Sequence, residues 1–174
     1  MVAITILMIA IVAPMTMTVQ ALNSAYYARD QITASNLAQE GIEVIRAVRD
    51  GNVLKNAYGE SVDLLAGIPN TSGQPFRVDV QDNSMTSCAG DPDGVCIPLK
   101  TNGQIFGYTS GWASSRYTRK VTACFVQPSG VCISAPSNEV RITVTVTWKT
   151  GRLQERSFTI SENLYRWVED GSAL

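Results

Sequence analysis

Residues 1–50 read MVAITILMIAIVAPMTMTVQALNSAYYARDQITASNLAQEGIEVIRAVRD, and the fold turns on how this segment is understood. From Met1 to Val19 there is no charged side chain, and threonine is the only strongly polar type. As a helix this stretch is about 28 Å long, close to the ~30 Å hydrocarbon core of a bilayer. From Gln20 to Asp50 there is no proline, and no glycine before Gly41. Apolar residues recur there at helical spacing: Val19, Leu22, Tyr26, Leu37, Val44 and Val48, with Ile32, Ala38, Ile42 and Ile45 on an adjacent line. Arg29 and Thr33 interrupt the first stripe, so it is not a coiled-coil seam. Asp50-Gly51-Asn52 supplies a stop, with Gly51 suited to the left-handed cap conformation. One helix of about 75 Å is therefore expected from the start of the chain to Asp50. Its hydrophobic half covers residues 1–22, and its amphipathic half, residues 23–50, is expected to pack on a sheet.

Three readings of the apolar run compete: a cleaved signal peptide, a plain membrane anchor, and a helix that is anchor first and filament core later. Val19-Gln20-Ala21 has the small residues of a cleavage site, but a positive n-region is missing and Pro14 lies inside the apolar stretch. Cleavage would also sever one continuous helix. Pro14 cannot donate to the carbonyl of Ala10, so the helix is expected to kink or loosen there, with Thr16 and Thr18 offering hydroxyls to nearby carbonyls.

Composition narrows the chemistry. Hydrophobic content of 45 % with charged content of 17 % excludes both a disordered and a uniformly membrane-embedded chain. Net charge is −1 and the basic residues are scattered, so no nucleic-acid surface is expected. The sequence has no histidine, which removes the commonest general base and the commonest metal ligand. No enzymatic activity and no cofactor are expected. The four cysteines form the pattern C-x7-C twice, Cys88 with Cys96 and Cys124 with Cys132, without the short spacing of zinc knuckles. Disulfides are expected, local pairing being the economical choice among the connectivities. Each loop would contribute about 2.5 kcal/mol, and the bonds imply an oxidising compartment.

Residues 51–174 read as one β-rich head domain. Turn formers fill Asn52 to Gln74, with a short helix expected at Glu60 to Ala66. Expected strands are Phe76 to Gln81, weak ones at Ile97 to Leu99 and Gln104 to Tyr108 around Asn102-Gly103, and Arg119 to Val126. The strongest signal is Glu139 to Lys149, where Val140, Ile142, Val144, Val146 and Trp148 alternate with polar residues. Burying those side chains is worth roughly 8–15 kcal/mol gross, an upper bound. Thr150-Gly151 is expected to turn into a partner strand from Arg152 to Ile160. Each cysteine pair encloses a proline and a glycine, consistent with pinned surface turns. Asp91 and Asp93 are a weak calcium candidate lacking the full ligand series. Tyr108, Trp112, Tyr117 and Phe125 read as core or inter-subunit packing rather than a ligand box. The serine of Gly107-Tyr108-Thr109-Ser110-Gly111 stands one place too late for a nucleophile elbow.

Val2-Ala3-Ile4-Thr5-Ile6-Leu7 running to Pro14, then Ala38-Gln39-Glu40-Gly41-Ile42-Glu43-Val44-Ile45-Arg46 and Val48-Arg49-Asp50, resemble the long helix of type IV pilins and type II secretion pseudopilins. Tyr117-Thr118-Arg119-Lys120-Val121, Val140 to Trp148 and Ser161 to Trp167 fit the minor-pilin or pseudopilin-I style of subunit. The resemblance is closest over the long helix and looser elsewhere. It implies an α+β fold in which the helix packs on a small antiparallel sheet. The implied filament core is Val2, Ile4, Ile6, Leu7, Ile9, Ile11, Val12 and Pro14. The implied partners are copies of the chain or related pilins, the inner membrane before assembly, and the assembly machinery. The basic leader and first-turn glutamate of that family have no counterpart ahead of or among these residues, and the chain is expected to start a few residues late. The alternative expectation is a singly anchored exported adhesin that never polymerises.

Overall fold

A computed structural model describes residues 2–63, 65–69, 73–133, 137–150 and 154–165, the side chains of Ile9 and Ala13 excepted. The fold is α+β: one long N-terminal helix against antiparallel sheet. Helix α1 runs from Val2 to Ala57, 56 residues, continuous through Pro14. It thus passes the expected stop at Asp50. Gly51 stays helical, a cost of about 1 kcal/mol, because the next two turns are held by the segment that follows. The Asn52 side chain donates to the carbonyl of Ala66 at 2.8 Å, and Asn56 both donates to the Val62 carbonyl and accepts from its N–H, each at 2.8 Å. Termination falls on Gly59 at φ +89°. There the Glu60 N–H reaches Lys55 and the Gly59 N–H reaches Asn56, the paired bonds of a Schellman cap.

The short helix expected at Glu60 to Ala66 is not formed over its described residues. The Asp63 carboxylate accepts from the Leu65 N–H at 2.9 Å and the Asp63 carbonyl from Ala66, which makes a turn instead. Leu64 lies outside the described residues.

Nine strands follow among the described residues. β1 (Phe76–Val78), β2 (Met85–Ser87), β6 (Tyr117–Val126), β8 (Glu139–Trp148) and β9 (Arg156–Tyr165) form the main sheet in the order β2-β1-β6-β8-β9, with β7 (Cys132–Ile133) beside the end of β6. β3 (Lys100–Thr101), β4 (Phe106–Gly107) and β5 (Ala113–Ser114) form a small second sheet in the order β4-β3-β5. The strand expected at Ile97 to Leu99 is therefore displaced to Lys100–Thr101, and β1 and β4 are shorter than their sequence signals. The expected Thr150-Gly151 turn falls partly outside the described residues. Trp148 pairs with Arg156, so β9 starts four residues later than expected. Residues 151–153 lie outside the described set.

β8 alternates without a fault: Val140, Ile142, Val144, Val146 and Trp148 are all buried. They meet Leu37, Ala38, Ile42 and Ile45 of α1 and Val121 and Ala123 of β6 in one core. Ile32, placed by spacing on the buried face, is 63 % exposed, because burial on the helix begins only at Asp30 and passes through Ala34.

Candidate functional site

The helix divides at Asp30. Every described side chain from Val2 to Arg29 is exposed, and no described charge occurs before Arg29. Val2, Ile4, Ile6, Leu7, Ile11 and Val12 stand 56–73 % exposed, and Pro14 is exposed with them. The Ile9 side chain lies outside the described residues. A helix apolar on all sides has no polar face to offer water and requires cover all round. By length and composition α1 is able to cross a membrane. Its hydroxyls are tied inward: Thr5 donates to the Val2 carbonyl at 2.7 Å and Thr18 to the Pro14 carbonyl at 2.9 Å. Hydroxyls satisfied in this way travel into a dry medium without an orphaned donor.

At the division a fully buried carboxylate fastens the helix to the head. Asp30 accepts from the Thr150 hydroxyl at 2.8 Å, Arg116 at 3.1 Å, the Tyr117 hydroxyl at 3.2 Å and Arg29 at 3.4 Å. Burial pushes its pKa up, but those hydroxyls and guanidinium groups outweigh it and hold the carboxyl below the ordinary aspartate value. Two separate segments thus converge on one helix position: Arg116 and Tyr117 at the start of β6, and Thr150 after β8.

A second buried polar contact sits about two turns further along the helix, at Leu37. Arg119 is wholly buried and donates to the carbonyls of Leu37 at 3.0 Å and Val78 at 2.6 Å. Burial lowers its pKa, while Tyr108, Glu40 and Asp79 act the other way. The nearest carboxylate oxygen, on Glu40, is 3.6 Å away. Gly41 makes room for this side chain: a Cβ there would stand 3.2 Å from Arg119 Cδ and 3.3 Å from Val144 Cγ1. The nearby Tyr108 hydroxyl is pushed up to about 12 by burial.

Both cysteine pairs are bonded, Cys88–Cys96 and Cys124–Cys132. The first closes a pair of 3-10 turns and the second clamps β6 to β7 around Gly130 at φ +81°. Asp91 pairs with Arg77 at 3.1 Å, and its other oxygen accepts from the Ile97 N–H at 3.4 Å; Asp93 sits in a left-handed turn at φ 58°. Among the described residues no three His, Cys, Asp or Glu side chains gather as a metal site. The aromatic residues behave as packing: Tyr117 lies edge-on to Phe106 at 5.7 Å and tilted to Trp148 at 6.4 Å.

The sequence reading missed Asp30, Arg116 and Thr150, which are far apart in the chain and look like ordinary surface polar residues. A faint signal existed at Asp30, the one carboxylate between Met1 and Gln39. Comparison with protein-family models, with curated proteins and with solved structures returns no match to this chain.

Proposed function

We propose that this chain is the structural subunit of an extracytoplasmic filament of the type IV pilus or pseudopilus kind, polymerising through its N-terminal helix and performing no catalysis. The observation that carries the reading is the exposed, uncharged, all-round apolar half-helix in unbroken helical continuity with a disulfide-pinned head. Covering Val2, Ile4, Ile6, Leu7, Ile11 and Val12 alone is worth roughly 9–18 kcal/mol gross at about 1.5–3 kcal/mol each, so the helix does not stay in water. Lipid tails are as apolar as leucine, so exchanging lipid for like helices costs little hydrophobic energy. The helix first rests in the membrane, is then withdrawn by an assembly machine, and is covered afterwards by the same segment of neighbouring copies. Such a contact joins different surfaces of successive subunits, which gives an open filament rather than a closed ring. The disulfides keep the head folded outside the cell.

The test is electron microscopy of shed surface material, labelled with antibody against the head. It is combined with short bifunctional crosslinking of an Ile6→Cys/Val12→Cys variant. Labelled filaments and a crosslink ladder extending well past the dimer are expected. Unlabelled material with no ladder beyond the dimer would leave only a singly anchored adhesin.

A further inference from the structure

We propose that the cleft beside the point where α1 leaves the head takes the phosphate headgroup of an anionic phospholipid, in the membrane leaflet that faces the head. This rests on the membrane-anchored stage described above and deepens it. The cleft has a volume of about 430 Å³ and is lined by Arg29, Arg116, Thr33, Thr101, Ser114 and Ser115, with Phe106 and Tyr117 behind them. Two guanidinium groups beside the Ser114 hydroxyl are the chemistry that suits a phosphate, while the Thr33, Thr101 and Ser115 hydroxyls donate to the carbonyls of Arg29, Ile105 and Tyr117 and shape the wall.

Among the described residues the charge at this end is unbalanced. Arg29 and Arg116, with side chains 61 % and 44 % exposed, share the single carboxylate of Asp30, which is itself sealed from solvent. Each spends one nitrogen on it and keeps further N–H donors for a ligand. Arg156 adds a third guanidinium, 4.6 Å from the centre of the Tyr27 ring. Lys149 is a fourth cation, balanced by Glu155 at 3.3 Å.

Depth agrees with charge. Arg29 is the first charged side chain after the uncharged helical stretch from Val2 to Ala28, which the anchor reading places in the bilayer, so it falls where that stretch meets the headgroups. Helical side chains lean toward the N-terminus, so Arg29 leans toward the membrane. Tyr26 and Tyr27, under Arg29 and Arg156, occupy the level where amphipathic rings settle between tails and headgroups. An arginine held over each ring fixes the cations at that level.

The test uses the full chain in vesicles carrying spin-labelled phosphatidylglycerol or spin-labelled phosphatidylcholine, and reads the ratio of the two in the motionally restricted lipid shell. A ratio of about five in favour of phosphatidylglycerol is expected, falling at high salt. Arg29→Gln/Arg116→Gln should bring it close to one. Because those arginines also touch Asp30, Ser114→Glu serves as a second variant that leaves that network whole, and it should lower the ratio at least twofold. Lys120→Gln, on the outward face of β6, should leave it unchanged. Inserted wild-type chain with a ratio near one, or a ratio untouched by Ser114→Glu, overturns the cleft assignment alone. A chain that alkaline carbonate strips from both vesicle types overturns the anchor and this proposal together.

Discussion

Asp30 and Arg119 are the two charged side chains with no exposure among the described residues, and they fail differently when altered. Asp30 has its carboxyl held below the ordinary aspartate value, near 3.9 in an unfolded chain. The folded state therefore binds the proton more weakly, and the stabilisation is complete above that value. It fades as pH falls through the lower folded value. We expect Asp30→Asn to be less stable than wild type at neutral pH. The gap between them, measured by urea denaturation across a pH series, should narrow progressively below about pH 4. Arg119 stays charged throughout that range, so its contribution is one of packing and donors. Arg119→Ala should cost about 2–5 kcal/mol, from the cavity and from the Leu37 and Val78 carbonyls it leaves. Arg119→Met refills the volume and exposes no buried charge, since Glu40 is half exposed, so it should recover about half of that loss. Denaturation midpoints of the two variants measured side by side check the order.

At the scale of elements, the long helix and the β6–β8–β9 sheet depend on different kinds of information. β8 carries its own instruction in strict alternation, and it pairs with β9 over its whole length and with β6 from Val140 to Trp148. The helix end does not. Asp50-Gly51-Asn52 has the composition of a stop, yet Asn52 and Asn56 are drawn into bonds with Ala66 and Val62, and the cap moves to Gly59. Since Gly59 sits at φ +89° with nothing near its missing Cβ, Gly59→Ala is penalised by backbone conformation alone. It should lower stability by about 1 kcal/mol with no change in the denaturant slope, whereas Gly51→Ala, in open helical surroundings, should raise it by a similar amount. Urea denaturation of the pair distinguishes the true end of the helix from the apparent one.

On the scale of the whole molecule, the protein is a folded head carried on a rod whose front half makes no core of its own. Coupling between the two passes through the turn around Asp30, where helix, β6 and the loop after β8 meet. A charge placed well forward of that turn should therefore damage anchoring and leave the head intact. Leu7→Asp should cost about 2.5–3.5 kcal/mol of insertion at the centre of a membrane helix. The expected result is a protein washed from vesicles by carbonate, while its near-ultraviolet circular dichroism and the melting of its head match those of wild type. Loss of head structure in that variant would mean that the two halves fold as one unit.

Periodicity and composition determined the long helix, the apolar face of β8, the local pairing of the cysteines and the exposed character of the front half. Each of these is written in residues close together in the chain. Val140 to Trp148 need only their own alternation to be read, and Cys88 needs only a partner eight residues on. The tertiary structure alone decided where the helix stops, why Ile32 faces out, and which loops grip the helix. Asp30 lies 86 residues from Arg116 and 120 from Thr150, Arg119 lies 82 from Leu37, and a polar residue with so distant a partner leaves no local pattern to read. Burial of those groups is set by which surfaces meet, and that is settled only when the sheet has closed against the helix.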